Sequence, residues 1–190
     1  MKRIDRVLRQ SMSDATPVAI RRSVERHETQ QGVVLALSDE WALFANLNDA
    51  VILDGYDVVR RAEIIRAWHK PLFADYLTRH NVWPPTAPPG IDLTDTRTVI
   101  VSTSVSTVAS IACEEKHPQK LLIGFVAQWR KKSLWLRTID TDCQWEDFDV
   151  KLRLKDITQV SFGSAYERAV LEVAGPFKSR NSEGAFPAGA

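Results

Sequence analysis

Asp140, Asp142, Glu146, Asp147 and Asp149 crowd the stretch IDTDCQWEDFDVK, the densest run of carboxylates in the chain. A calcium loop starting at Asp140 would take oxygens from Asp140, Asp142 and Gln144 at its first, third and fifth positions. It would then need glycine at the sixth position for the sharp turn and glutamate at the twelfth as a bidentate ligand. Trp145 and Lys151 stand there instead, so the run is read as a solvated hairpin turn. A second pairing, Cys113 with His117, suggests a thiol nucleophile and its base. On a strand the two side chains would share a side yet lie about 13 Å apart, beyond hydrogen-bond reach. Cys113 is therefore read as a small buried hydrophobe. The four histidines show no ligand spacing with one another or with Cys113. The eight glycines include no phosphate-cradling loop. The expectation is a non-enzymatic protein with no catalytic residue, metal or cofactor.

One stretch mixes residue types that recognise nucleic acid. In QWRKKSLW, residues 128–135, Arg130, Lys131 and Lys132 sit at a hairpin tip between Trp129 and Trp135. Cations there can hold a phosphate backbone while an indole stacks a base. The competing reading is a charged β-turn whose tryptophans pack inward. A net charge of +1 removes bulk electrostatics as support for nucleic acid or an anionic membrane.

The elements that must position these residues follow from punctuation and periodicity. The chain of 190 residues, 44% hydrophobic and 26% charged, is long enough to bury a core without staples. Two cysteines form no disulfide framework, and no apolar run approaches a spanning helix. MKRIDRVLRQSM lacks the apolar core of a secretory signal, so a cytoplasmic protein is expected. Two Pro-Pro pairs in WPPTAPPG mark the one clear boundary. This divides the chain into modules over 1–83 and 94–175, a Pro-rich linker over 84–93, and a flexible tail over 176–190.

Each module reads helix, short strands, helix. Ile4, Val7 and Leu8 give an opening amphipathic helix, and PLFADYLTRH closes the first half with Leu72, Phe73, Tyr76 and Leu77 as its stripe. In the second half DLTDTRTVIVSTSV has Thr94 or Asp95 as a possible cap, though its Val, Ile and Thr content equally suits a strand. SAYERAVLEVA carries Ser164 and Glu167 at capping-box spacing, with Tyr166, Ala169 and Val170 on one face. Between the helices, Gly32 aligns with Gly124, Leu43 and Phe44 with Trp135 and Leu136, and Leu47 with Ile139. Ile64 aligns with Ile157 one position further on. The agreement in order and spacing predicts an internal duplication. Strands apolar on both faces need covering twice. The predicted fold class is therefore α+β: two similar small antiparallel β-barrel-like modules with flanking helices, packed together. Trp41, Leu43, Leu47, Trp135, Leu136 and Ile139 are expected in the core.

The segment GVVLALSDEWALFANLNDA resembles the first conserved segment of Sm-like small β-barrel proteins, with Gly32, Asp39, Asn46, Leu47, Asp49 and Ala50 at the matching positions. VVRRAEI is similar to the second segment, with Arg60 or Arg61 in place of its arginine. The resemblance implies a small-barrel fold in a tandem arrangement within a bacterial family. The function expected is a cytoplasmic module that binds a protein partner. The alternative is binding of RNA or single-stranded nucleic acid through Trp129, Arg130, Lys131 and Lys132. A site lying between the modules need leave no local motif.

Overall fold

The computed structural model describes residues 2–25, 27–80, 83–104, 108–117 and 121–177. Its first half runs α1 (Lys2–Asp14), β1 (Val18–Arg22), β2 (Gln30–Leu37), β3 (Trp41–Leu47), β4 (Leu53–Arg60), a 3-10 turn (Arg61–Glu63), β5 (Ile64–His69) and α2 (Pro71–Arg79). Its second half runs α3 (Thr96–Thr103), β6 (Ala109–Ala112), β7 (Leu121–Trp129), β8 (Ser133–Ile139), β9 (Trp145–Arg153), a 3-10 turn (Leu154–Asp156), β10 (Gln159–Phe162) and α4 (Ala165–Ala174). The 178–190 part of the expected tail lies outside the described residues. Phe177, just before it, packs its ring on Phe125 and Trp145, with centroids 5.4 and 5.6 Å away.

Local signals account for the helices. The Asp95 carboxylate accepts from the Thr98 amide at 2.9 Å, and Thr98 Oγ1 accepts from the Asp95 amide at 3.0 Å. That reciprocal cap, with Val99 and Ile100 fully buried, holds a β-branched run as helix α3 against its strand propensity. The Ser164–Glu167 capping box forms as expected at α4. Of the expected face Val170 is inside, joined by Glu167, while Tyr166 and Ala169 are exposed. In α2 only Leu77 of the predicted stripe is buried.

The expectation of two separate small barrels is corrected by the sheet. All ten described strands form one antiparallel open sheet, in the order β5-β1-β2-β3-β4-β10-β6-β7-β8-β9. The physical reason lies in how the second apolar face is covered. On β3, Ala42 and Phe44 pack with Leu8 of α1 on one side. Trp41 and Leu43 point the other way into a core shared with Ile111, Leu134, Leu136, Ile157 and Val160 of the second half. Neither half closes on itself, because each supplies the other's second layer. Trp135 is another correction: it is half-buried, whereas Trp41 is sealed.

Within the single sheet the register recurs. Gly32 pairs with Asn46 as Gly124 pairs with Thr138, and Val34 with Phe44 as Val126 with Leu136. The irregularity that follows falls between Val34 and Ala36 in one pair and between Val126 and Gln128 in the other. Trp41 pairs with Arg60 as Ser133 pairs with Arg153, and Ile20 with Ala67 as Ile111 with Val160. Both glycines are required by close approach. A Cβ at Gly32 would lie 2.4 Å from the Ala45 carbonyl oxygen, and one at Gly124 would lie 1.9 Å from that of Arg137. Among the described residues, no helix is long and apolar enough to cross a membrane.

Candidate functional site

The two halves meet along a seam in which β10 pairs with β4. Gln159 lies opposite Val59, Val160 opposite Val58, Ser161 opposite Asp57, and Phe162 opposite Tyr56. The last pair also stacks, with ring centroids 5.3 Å apart. At the opposite end, past Gln159 and Val59, the Arg60 amide donates to the Thr158 carbonyl at 2.9 Å, prolonging the ladder. The Arg60 side chain then crosses the seam, its Nε donating to the Ile157 carbonyl at 2.9 Å and its Nη2 to the Leu154 carbonyl at 3.3 Å. Its Nη1 is paired with Glu40, and its guanidinium carbon lies 4.5 Å from the centre of the Trp41 ring. A planar cation with several fixed donors suits this role, since it ties two carbonyls and an aromatic face together at once.

Behind the seam lies a buried polar network. Asp57 accepts from Ser161 Oγ at 2.5 Å, Gln30 Nε2 at 2.7 Å and Gln159 Nε2 at 3.1 Å. Burial pushes its carboxyl well above the ordinary aspartate value, against the lowering effect of those hydrogen bonds and of the Arg22 charge. Arg22, itself buried, reaches Glu114 at 2.7 Å and also pairs with Glu25. Burial raises the Glu25 carboxyl too; Arg22 lowers it and Glu114 raises it further. Thr158 Oγ1 donates to Glu114, and Ser110 Oγ donates to Glu167 at 2.5 Å. All of these residues except Thr158 line a cavity of about 920 Å³ whose walls come from both halves.

The sequence-predicted hairpin is present, with Arg130, Lys131 and Lys132 exposed between β7 and β8. Trp129 is half-buried and packs against the shared core. The Arg97 guanidinium carbon lies 4.5 Å from the centre of its ring, and Arg97 Nη2 donates to the Arg130 carbonyl at 2.9 Å. One face of that indole is thus occupied from within the chain. Lys151 lies over Trp135 at 5.7 Å. Burial pushes the Cys113 thiol up to about 12, reinforced by the neighbouring Glu114 and Asp156 charges. That suppresses the thiolate a nucleophile requires. No group of His, Cys, Asp and Glu among the described residues is arranged to hold a metal.

Motif reading missed the seam because Arg22, Asp57, Glu114 and Gln159 are scattered along the chain; Asp57 and Gln159 are 102 positions apart. The one available signal was a set of polar residues inside otherwise apolar strands. Comparison of the chain with protein-family models, curated proteins and solved structures finds no match in any of the three.

Proposed function

We propose that this protein is a non-enzymatic, cytoplasmic interaction module that self-assembles by strand addition, β9 of one copy joining β5 of the next. The observation that carries the reading is the equivalence of Arg60 and Arg153. Both end the fourth strand of their half, pair across to the third strand, and directly precede a 3-10 turn in the same extended conformation. Arg60 binds carbonyls across the seam; the Arg153 side chain is half exposed and held by Asp156 within its own turn. β5 and β9 are the outer strands of the open sheet, and among the described residues each pairs on one side only. In this reading the chain is two copies of one five-stranded unit, with the Sm-like segment forming the second and third strands of the first copy.

Transferring the seam register to the outer strands aligns Arg66 with Leu152, Ala67 with Lys151, Trp68 with Val150, and His69 with Asp149. Arg153 then faces the Ile64 carbonyl, as Arg60 faces that of Ile157. The edges differ in charge at one end, where His69 ends β5 and Lys70 follows it, and Glu146, Asp147 and Asp149 lie on β9. Unlike edges attract and like edges repel, a device that steers edge pairing towards one arrangement. Exposed Ile65 and Phe148 add apolar surface to the two edges. Because the joined edges are different, the assembly is head-to-tail, closing as a ring or extending as a filament.

Light scattering after size-exclusion chromatography tests this directly. The wild type is expected to associate as concentration rises, and Arg153→Ala to weaken association at least tenfold without changing the circular dichroism spectrum. A wild-type chain that stays monomeric up to roughly 100 µM would remove the reading. Steeply salt-dependent binding of single-stranded RNA, lost when Arg130, Lys131 and Lys132 become alanine, would replace it with the nucleic-acid alternative.

A further inference from the structure

The seam cavity holds two acceptors whose orientation is set and whose partners are missing. Gln30 and Gln159 each donate Nε2 to Asp57, at 2.7 and 3.1 Å. A carboxylate only accepts, so each amide must turn its nitrogen towards Asp57 and its oxygen away. Oε1 of both glutamines is left buried with no hydrogen-bond partner, and both residues line the cavity. Buried acceptors left unpaired are costly, and two beside one carboxylate are met most economically by a single donor group.

Charge points to the nature of that donor. Glu25, Glu28, Asp54, Asp57, Glu114 and Glu167 all line the cavity. Among the described lining residues, Arg22 is the one permanent cation, and its guanidinium is already shared between Glu25 and Glu114. Asp57 accepts hydrogen bonds from neutral donors, and burial outweighs the effect of the Arg22 charge on its carboxylate. The carboxylates are too dispersed for a metal ion, since no metal-holding group of three is found among the described residues. The volume of about 920 Å³ is that of a small-molecule site, and Ile20, Leu121 and Tyr166 give it apolar wall.

We propose that this cavity binds a small organic polycation, with two or more ammonium groups carried on an aliphatic chain. One ammonium sits at Asp57 and donates to Oε1 of Gln30 and Gln159. The methylene chain runs along the apolar wall, and a further ammonium meets the carboxylates at the Glu25 and Glu28 side. This site is independent of the outer strands and of the assembly they are proposed to make.

Isothermal titration of the full chain with spermidine tests the proposal, with magnesium chloride at matched ionic strength as the comparison. Saturable binding at one spermidine per chain, not reproduced by magnesium, is expected. Gln159→Met keeps the side-chain bulk and removes the carbonyl; Glu28→Gln alters an exposed residue at the cavity and spares the core. Each is expected to weaken binding about fivefold or more; Glu28→Gln leaves the melting temperature of the free protein nearly unchanged, whereas Gln159→Met also removes the Nε2 donor to Asp57 and lowers it. Arg153→Ala is expected to bind spermidine as the wild type does, which separates this site from the assembly. Absence of saturable spermidine binding, equal binding of magnesium, or affinity unchanged in both cavity variants would overturn it.

Discussion

Arg60 and Ile157 are joined across the seam by a hydrogen bond of 2.9 Å, from the guanidinium Nε of one half to the backbone carbonyl of the other. The bond matters beyond its own strength because the same guanidinium also meets Leu154, Thr96, Glu40 and the Trp41 ring. Replacing Arg60 by alanine removes all of these; the Ile157 carbonyl loses its side-chain donor, while the Leu154 carbonyl keeps the Ile157 amide. Arg60→Ala is expected to destabilise the fold by about 2–3 kcal/mol, and Arg60→Lys to recover only a minor part because an ammonium cannot fork across two carbonyls. Urea denaturation measures both.

The two glycines inside β2 and β7 make a paired prediction. Gly124→Ala brings a methyl group within 1.9 Å of the Arg137 carbonyl oxygen, and Gly32→Ala within 2.4 Å of that of Ala45. Both obstacles are backbone atoms inside a sheet, which move only with their strands. A loss of about 1–3 kcal/mol is expected for each, the larger at Gly124. Equal stability of Gly124→Ala and wild type in chemical denaturation would contradict the packing at β7 and β8.

Asp57 makes a pH prediction. Its folded carboxyl titrates above the unfolded value of about 4, mainly because burial penalises the charge. The folded state therefore holds a proton that the unfolded chain has released, and stability falls as pH rises through that window. Below the unfolded value the penalty is absent; above the raised folded value it is fully present. Asp57→Asn carries no charge to penalise. Its melting temperature relative to wild type is expected to rise as pH increases through the window and then level off. A difference that is flat from pH 4 to 8 would show that Asp57 is not held as described.

Cys113 separates a structural thiol from a nucleophile. With its thiol pushed up to about 12 and its side chain buried, the thiolate is scarce at pH 8. Iodoacetamide on the native protein is expected to modify the half-buried Cys143 and spare Cys113 until denaturant is added. Mass spectrometry of the peptides reads both sites; native labelling of Cys113 at the rate of Cys143 would contradict its burial.

Much of this architecture is legible along the chain. Ser164 and Glu167 announce a helix start because a cap is made with residues three positions away. Gly32 and Gly124 mark matching strands, and the basic hairpin tip at Arg130–Lys132 appears where it was expected. The α3 segment was ambiguous because its β-branched residues suit a strand, and the Asp95 cap together with burial of Val99 and Ile100 decided for helix. Trp135 read as core because apolar strands alternate faces, yet alternation alone does not say which face another half will cover.

The sequence by itself determined most of the strands and the α4 cap, since each rests on residues that are near neighbours along the chain. Only the tertiary structure decided that β4 joins β10, that neither half closes, and that Arg22, Asp57, Glu114 and Gln159 meet around one cavity. The physical reason is that strand edges pair through backbone N–H and C=O groups, which nearly every residue carries alike. Which edge finds which is settled by the burial of side chains on both sides of the sheet. The polar groups gathered at such a seam belong to no shared stretch of sequence.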